Sequence, residues 1–337
     1  MSQQKSTTRS CKQSVPPSRS PSPPNLPPQR AWVLQERLLS PRTLHFSRTD
    51  IFFECSQTIT TETFPTGLPS YCLSHAKSTI LQTWPATVEE YTSRNLTFPS
   101  DKLTSISGLA RLHQTSNPYL AGLWGGPALL RQLAWHCTLT TPRLVETTPG
   151  CAPRARISTE TPTWSWASLH AQVKFIEFDS REEETVEEKA RVLDAGTVLA
   201  SGDPMGPLKG GWVKILAPVN IISVTSDGVF LGGRRLEEDV MEVKLDGITE
   251  LTGEFYLLSL CRRNVVDYSA DRENGDINSY SIYLVLRPEG REGYYQRCEL
   301  AVAEHFHIPE NRREENGEGV GCVEFRGRKE GHVVYLV

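Results

Sequence analysis

No apolar run in the 337 residues approaches the roughly 18 needed for a membrane-crossing helix, so the chain is read as having no membrane span. No C-x-x-C pair occurs among the eight cysteines, Cys11, Cys55, Cys72, Cys137, Cys151, Cys261, Cys298 and Cys322. That spacing excludes a zinc site built from two close ligand pairs, and the cysteines are too sparse for a disulfide scaffold. They are expected as reduced thiols of a cytoplasmic protein. The first residues lack an apolar core after their charges, so no secretory signal is expected and Asn95-Leu-Thr97 reads as a chance glycosylation sequon. Acidic residues are missing from residues 1–29, which hold seven Pro, seven Ser and four Lys or Arg. Such a segment cannot offset its ordering entropy and is expected as a disordered tail. Its proline spacing also denies it the amphipathic helix of a mitochondrial transit peptide. A basic stripe is lacking too: residues 171–337 carry 20 basic against 31 acidic groups, which argues against nucleic acid as a partner.

What is present divides by periodicity. Ala31, Leu34 and Leu38 recur at helical spacing, with Trp32 and Leu39 widening the face, and Pro41 ends the helix. Thr43–Phe46 and Asp50–Cys55 read as a β-hairpin. Helices are expected from about Ala86 to Arg94, from Ser100-Asp101 to Asn117-Pro118 (Leu103, Ile106, Leu109 and His113 on one side), and from Pro127 through Leu129, Leu130, Leu133 and Trp135. Arg181 to Arg191 holds five Glu and reads as a solvated loop, a strand edge or a short exposed helix. Strand candidates then follow at 210–216, 219–224, 254–260, 280–286 and 332–337. The expected fold class is α+β, a helix-rich N-terminal half followed by a β-rich C-terminal half. The expected organisation is a tail at 1–29, a helical region at 30–178, a linker at 179–191 and a β-rich region at 192–337.

Candidate chemistry is thin. Trp164 and Trp166 would share a face on an extended strand and could stack on a flat ligand, or simply close a core. Glu36 and His45 suggest an acid/base pair, against which stands a solvent-facing Glu36 beside Arg37. Arg42, after Ser40-Pro41, could anchor the turn into the hairpin. His305 and His307 have metal-ligand spacing on one strand face, but only Glu304 and Glu310 are near and no third ligand cluster follows. Gly317-Glu-Gly-Val-Gly321 lacks the strand, helix and Lys-Ser/Thr pair of a phosphate-binding loop. Ser40, Ser165 and the cysteines lie in no nucleophile motif. No catalytic, cofactor or metal residue is therefore assigned.

One further pattern is an ordered series of motifs. Arg30-Ala-Trp-Val-Leu-Gln-Glu-Arg-Leu-Leu-Ser-Pro-Arg-Thr-Leu-His-Phe46 opens it. Thr63-Phe-Pro65, Trp84, Tyr91-Thr-Ser-Arg94, Leu96-Thr97 and Asp101-Lys-Leu103 come next. Ser107-Gly-Leu-Ala110, Tyr119-Leu-Ala-Gly-Leu-Trp124 and Trp164-Ser-Trp-Ala167 continue it, before Gly210-Gly-Trp212 and Leu286-Arg-Pro-Glu-Gly290. Over residues 30–290 this series resembles the fungal heterokaryon-incompatibility (HET) proteins, from the end of their conserved domain onward. The family's opening Tyr-containing strand and Ser-Tyr-x-Trp-Gly-type turn do not occur before Arg30, so the resemblance implies an N-terminally truncated member. It implies a role in fungal non-self recognition, vegetative incompatibility and programmed cell death through unidentified protein partners. It also leaves two alternatives. One is a TIR-like NAD-cleaving activity, whose catalytic acid would lie in the missing part, and the other is an inactive truncated paralogue. No catalytic residue is carried over.

Overall fold

The structure is a computed structural model that describes residues 30–46, 50–69, 76–138, 156–178, 184–231, 234–235, 241–245, 252–267, 276–306 and 331–337. The tail expected at 1–29, His307, Gly317–Gly321, and Cys11, Cys72, Cys151 and Cys322 lie outside the described residues. Two compact units are distinguished. The described part of the first falls within Pro41–Thr79, and that of the second within Pro28–Ser40 and Ile80–Val337.

The first unit is built on the expected hairpin. Strands β1 (Arg42–Phe46), β2 (Ile51–Cys55) and β3 (Ile59–Thr61) form an antiparallel sheet in that order. Alternation decides its faces, because one step in register moves every side chain to the other side. Phe52, Glu54 and Thr61 are buried, and the opposite face leaves Leu44 and Phe46 exposed.

The second unit overturns the expected fold class. Strand accounts for 47% of the structure and helix for 20%, so the N-terminal half is not helix-rich. Among the described residues its longest helices, Ala31–Leu39 and Trp84–Thr92, have nine residues each. The first buries Ala31, Leu34 and Leu38 but leaves Trp32 40% exposed and Leu39 44% exposed. Ser40 is extended, as a residue before proline prefers, and its N–H and hydroxyl both donate to Glu36 O. The second starts where Thr83 Oγ1 accepts from Ala86 N at 3.2 Å and Pro85 occupies the first turn.

The other expected helices break up. Residues 99–112 form two 3₁₀ turns, Pro99–Asp101 and Thr104–Ile106, and a six-residue helix, Ser107–Leu112. The stretch after Pro127 yields a four-residue helix, Leu129–Gln132. Short antiparallel pairs replace the rest: the hairpin of β4 (Tyr119–Leu120) with β5 (Leu123–Trp124), and the long-range pair of β6 (Trp135–Cys137) with β7 (Val173–Phe175). Apolar residues at three- and four-residue intervals are buried here, but by tertiary contacts that override helical spacing.

Past Phe178 the described residues are almost all in strands or the turns between them. Its strands are β8 (Glu184–Glu188), β9 (Arg191–Leu199), β10 (Leu208–Ala217), β11 (Val219–Thr225), β12 (Gly228–Leu231), β13 (Arg234–Arg235), β14 (Met241–Leu245), β15 (Gly253–Asp267), β16 (Asp276–Pro288), β17 (Tyr294–Phe306) and β18 (His332–Leu336). Of the readings open for the Glu-rich stretch, the strand is the one realised, as β8. Pairing runs β9-β10-β18-β17-β16-β15, and β8 pairs with the far half of β15. β8 leads directly into β9, and between them Lys189 N–H and Ala190 N–H both donate to Leu260 O of β15. The β17–β18 contact is the parallel one.

Both faces of the central strands are buried. Ile282, Leu284 and Leu286 of β16 join the core shared with the N-terminal region, while Tyr283 and Val285 join a separate cluster with Phe255, Leu257 and Ile222. Burial on both faces explains the unbroken apolar run there. Among the described residues no helix is long and apolar enough to cross a membrane.

Leu284 is fully buried in this sheet, so Leu284→Ala is expected to cost about 2–5 kcal/mol in urea unfolding. Val198→Ala, at an exposed position of β9, should stay within about 0.5 kcal/mol of wild type.

Candidate functional site

The motif residues of the N-terminal region meet at one hairpin turn. β4 and β5 are joined by Ala121 and Gly122 with φ of 49° and 92°, the pair of positive angles that a tight two-residue hairpin requires. Alanine in that conformation is strained, and the strain is held in place from outside: Ser165 Oγ donates to Ala121 O at 2.5 Å. Gly122 O then accepts two indole N–H groups, Trp84 Nε1 at 2.8 Å and Trp166 Nε1 at 2.7 Å. A Cβ on Gly122 would lie 2.7 Å from Trp166 Nε1, so glycine is required by both angle and space.

Further bonds tie the surroundings to this turn. Gln132 clamps Trp124, accepting from its N–H at 3.0 Å and donating to its carbonyl at 3.1 Å. Trp135 Nε1 donates to Trp164 O at 2.9 Å. Trp84, Tyr119 and Trp124 pack edge to face with centroids 5.2–6.1 Å apart. Gly211, ahead of Trp212, lets β10 approach: a Cβ there would meet Gly196 O at 2.9 Å and the Trp164 ring at 3.2 Å. Arg297 reaches in from β17, donating to Leu133 O at 2.8 Å and to Trp135 O, with its guanidinium 3.6 Å from the Trp135 ring centroid.

Lys102 is the unusual member. It is buried, and its Nζ donates to Leu169 O at 2.5 Å and, more weakly, to Trp166 O at 3.4 Å, capping the turn that carries Trp166. Its own carbonyl accepts from Tyr91 Oη at 2.8 Å, and that hydroxyl also lies 2.5 Å from Ser105 Oγ. Among the described residues no carboxylate is within ion-pair distance of Lys102. Burial pushes the ammonium down to a pKa of about 8, opposed in part by Cys137. His170, half-buried nearby, is also lowered, by burial and then by the charge of Lys102. Tyr91, Arg94, Lys102 and His170 line a cavity of about 20 Å³. A larger hollow of about 500 Å³ lies beside Tyr119 and Trp124, rimmed by the exposed Arg111–Asp203 pair at 3.0 Å.

Comparison with family models, curated proteins and solved structures returns no match to this chain.

The residues singled out from sequence take structural places. Trp164 and Trp166 are fully buried, with Trp166 in a 3₁₀ turn, so neither presents a face for stacking. Glu36 is exposed on its helix, whereas His45 Nε2 lies 3.0 Å from the buried Glu54 Oε2 across its own sheet. Arg42 is exposed. Ser165 Oγ serves the turn, accepting from Ala167 N at 3.0 Å. Cys55, Cys137, Cys261 and Cys298 are thiols, the last three buried. His305 belongs to β17, and no group of three potential ligands occurs among the described residues. Lys102, His170, Gly122, Gln132 and Arg297 were not singled out. Lys102 and Gly122 lay inside motifs of the series, but nothing local marks a lysine whose partners are more than 60 residues away.

Two outcomes follow. Gly122→Ala should lose more than about 2 kcal/mol in denaturant unfolding, and Gly290→Ala, with similar φ but nothing within 4 Å, only about 1 kcal/mol. For Lys102 the folded pKa lies below the unfolded value, so the unfolded chain binds more protons between about pH 8 and 10.5. Wild type should therefore gain on a Lys102→Met variant by up to ~1.4 kcal/mol per pH unit from pH 8 to 10, with a constant difference below pH 8.

Proposed function

We propose that the chain is a HET-family protein of the cytoplasm that takes part in fungal non-self recognition and the associated cell death, through contacts with protein partners. What carries the reading is the meeting of its motifs in space. Trp84, Tyr91, Lys102, Ala121-Gly122, Trp164-Ser-Trp166 and Gly211 are spread over more than a hundred residues, yet they bond or pack around one turn. Separate chance matches would have no reason to share a node, whereas the signature of one folded region would. The node is closed and hydrogen-bonded, so these residues support shape, and recognition falls to the surface around them. The acidic balance of residues 171–337 favours a protein over a nucleic-acid partner.

Induced expression in a filamentous fungus is expected to arrest growth, and tagged protein to recover a specific partner. Gly122→Ala should abolish both, while incubation with NAD should release no nicotinamide. Normal growth with no specific partner would contradict the proposal, and NAD turnover would replace it with the enzymatic alternative.

A further inference from the structure

A buried ammonium without a carboxylate is costly, because neutral carbonyls replace only part of its hydration. Lys102 Nζ has two such carbonyls, one at the outer limit of a hydrogen bond, and three protons to place. The cavity beside it is lined by two more nitrogen-bearing groups with unmet capacity. Arg94 Nε and His170 Nε2 are buried and have no partner among the described residues, although Arg94 Nη2 is held by Glu90 at 2.5 Å. Tyr91, whose hydroxyl is engaged by Lys102 O and Ser105, forms another wall. Lysine, arginine and histidine thus surround one small void, with Glu90 the acid paired to the set. The void measures about 20 Å³, where about 10–15 Å³ suffices for a single water-sized occupant. Sulfate, phosphate and carboxylates are too large for it.

We propose that this cavity binds one monatomic anion of the chloride class, with Lys102 as its main counter-charge, the Arg94 guanidinium beside it and His170 offering a neutral ring N–H. The anion neutralises Lys102 where the described residues supply no acid, and so steadies the turn from Trp166 to Leu169 that the ammonium holds. The inference stands on the cavity and its lining, independently of the HET reading.

The test is thermal unfolding of the full chain at pH 7 in sodium chloride or bromide against sodium gluconate at equal ionic strength. A saturable stabilisation is expected from the halides alone, reaching about an elevenfold rise in the folded-to-unfolded ratio at ten times the dissociation constant. Lys102→Met should abolish it and His170→Gln should weaken it. Should Lys102→Met fail to fold, crystals grown in bromide decide the matter, with an anomalous peak beside Lys102 expected. Equal effects of halide and gluconate, or a cavity holding only water in bromide-grown crystals, would overturn the proposal.

Discussion

A single carbonyl oxygen, that of Gly122, organises the N-terminal part of the larger unit. It accepts from the indoles of Trp84 and Trp166, which reach it from a helix and from a turn more than 70 residues further along. Each such bond contributes only about 0.5–1.5 kcal/mol net, but an indole N–H buried without an acceptor costs about 1–3 kcal/mol. The carbonyl points at both rings only because Ala121 and Gly122 adopt positive φ. Backbone strain, glycine and two tryptophans therefore form one constraint, and none of them is replaceable alone.

The rest of the unit is built outward from that constraint. Ser165 secures the turn from one side and Gln132 fixes its outgoing strand from the other. Lys102 caps the Trp166 turn, and Tyr91 in turn holds the Lys102 carbonyl. Arg297 and Gly211 join the large sheet to the same core, so the β region and the tryptophan region share one hydrophobic interior. Polar groups in that interior are costly when half-satisfied and specific when satisfied, which suits a site that fixes shape.

Legibility in sequence followed the range of the interactions. The helix at 31–39 and the hairpin of β1 and β2 depend on neighbours in the chain, and periodicity and the Ser40-Pro41 break located both. The cores of β10, β11, β15, β16 and β18 were visible because their apolar runs are short and bounded by Gly, Asp or Asn. Strand β8 was only one of three readings for its stretch, since Glu184–Glu188 owes its conformation to β15 and carries no apolar alternation. The N-terminal half misled for the opposite reason: Leu129, Leu130, Leu133 and Trp135 have helical spacing, but Trp135 is bound as a strand against Phe175. Of the node, tryptophan burial was foreseen, whereas the lysine beneath it rests on carbonyls that only the folded chain brings near.

The central claim is that the Gly122 carbonyl and its two indole donors form the least yielding part of the larger unit. Hydrogen exchange of the seven tryptophan indole N–H groups, followed by NMR under native conditions, addresses it directly. Trp84 and Trp166 are expected to exchange only with global unfolding, and the exposed Trp32 within the dead time. Rapid exchange at Trp84 and Trp166, comparable with Trp32, would contradict the account.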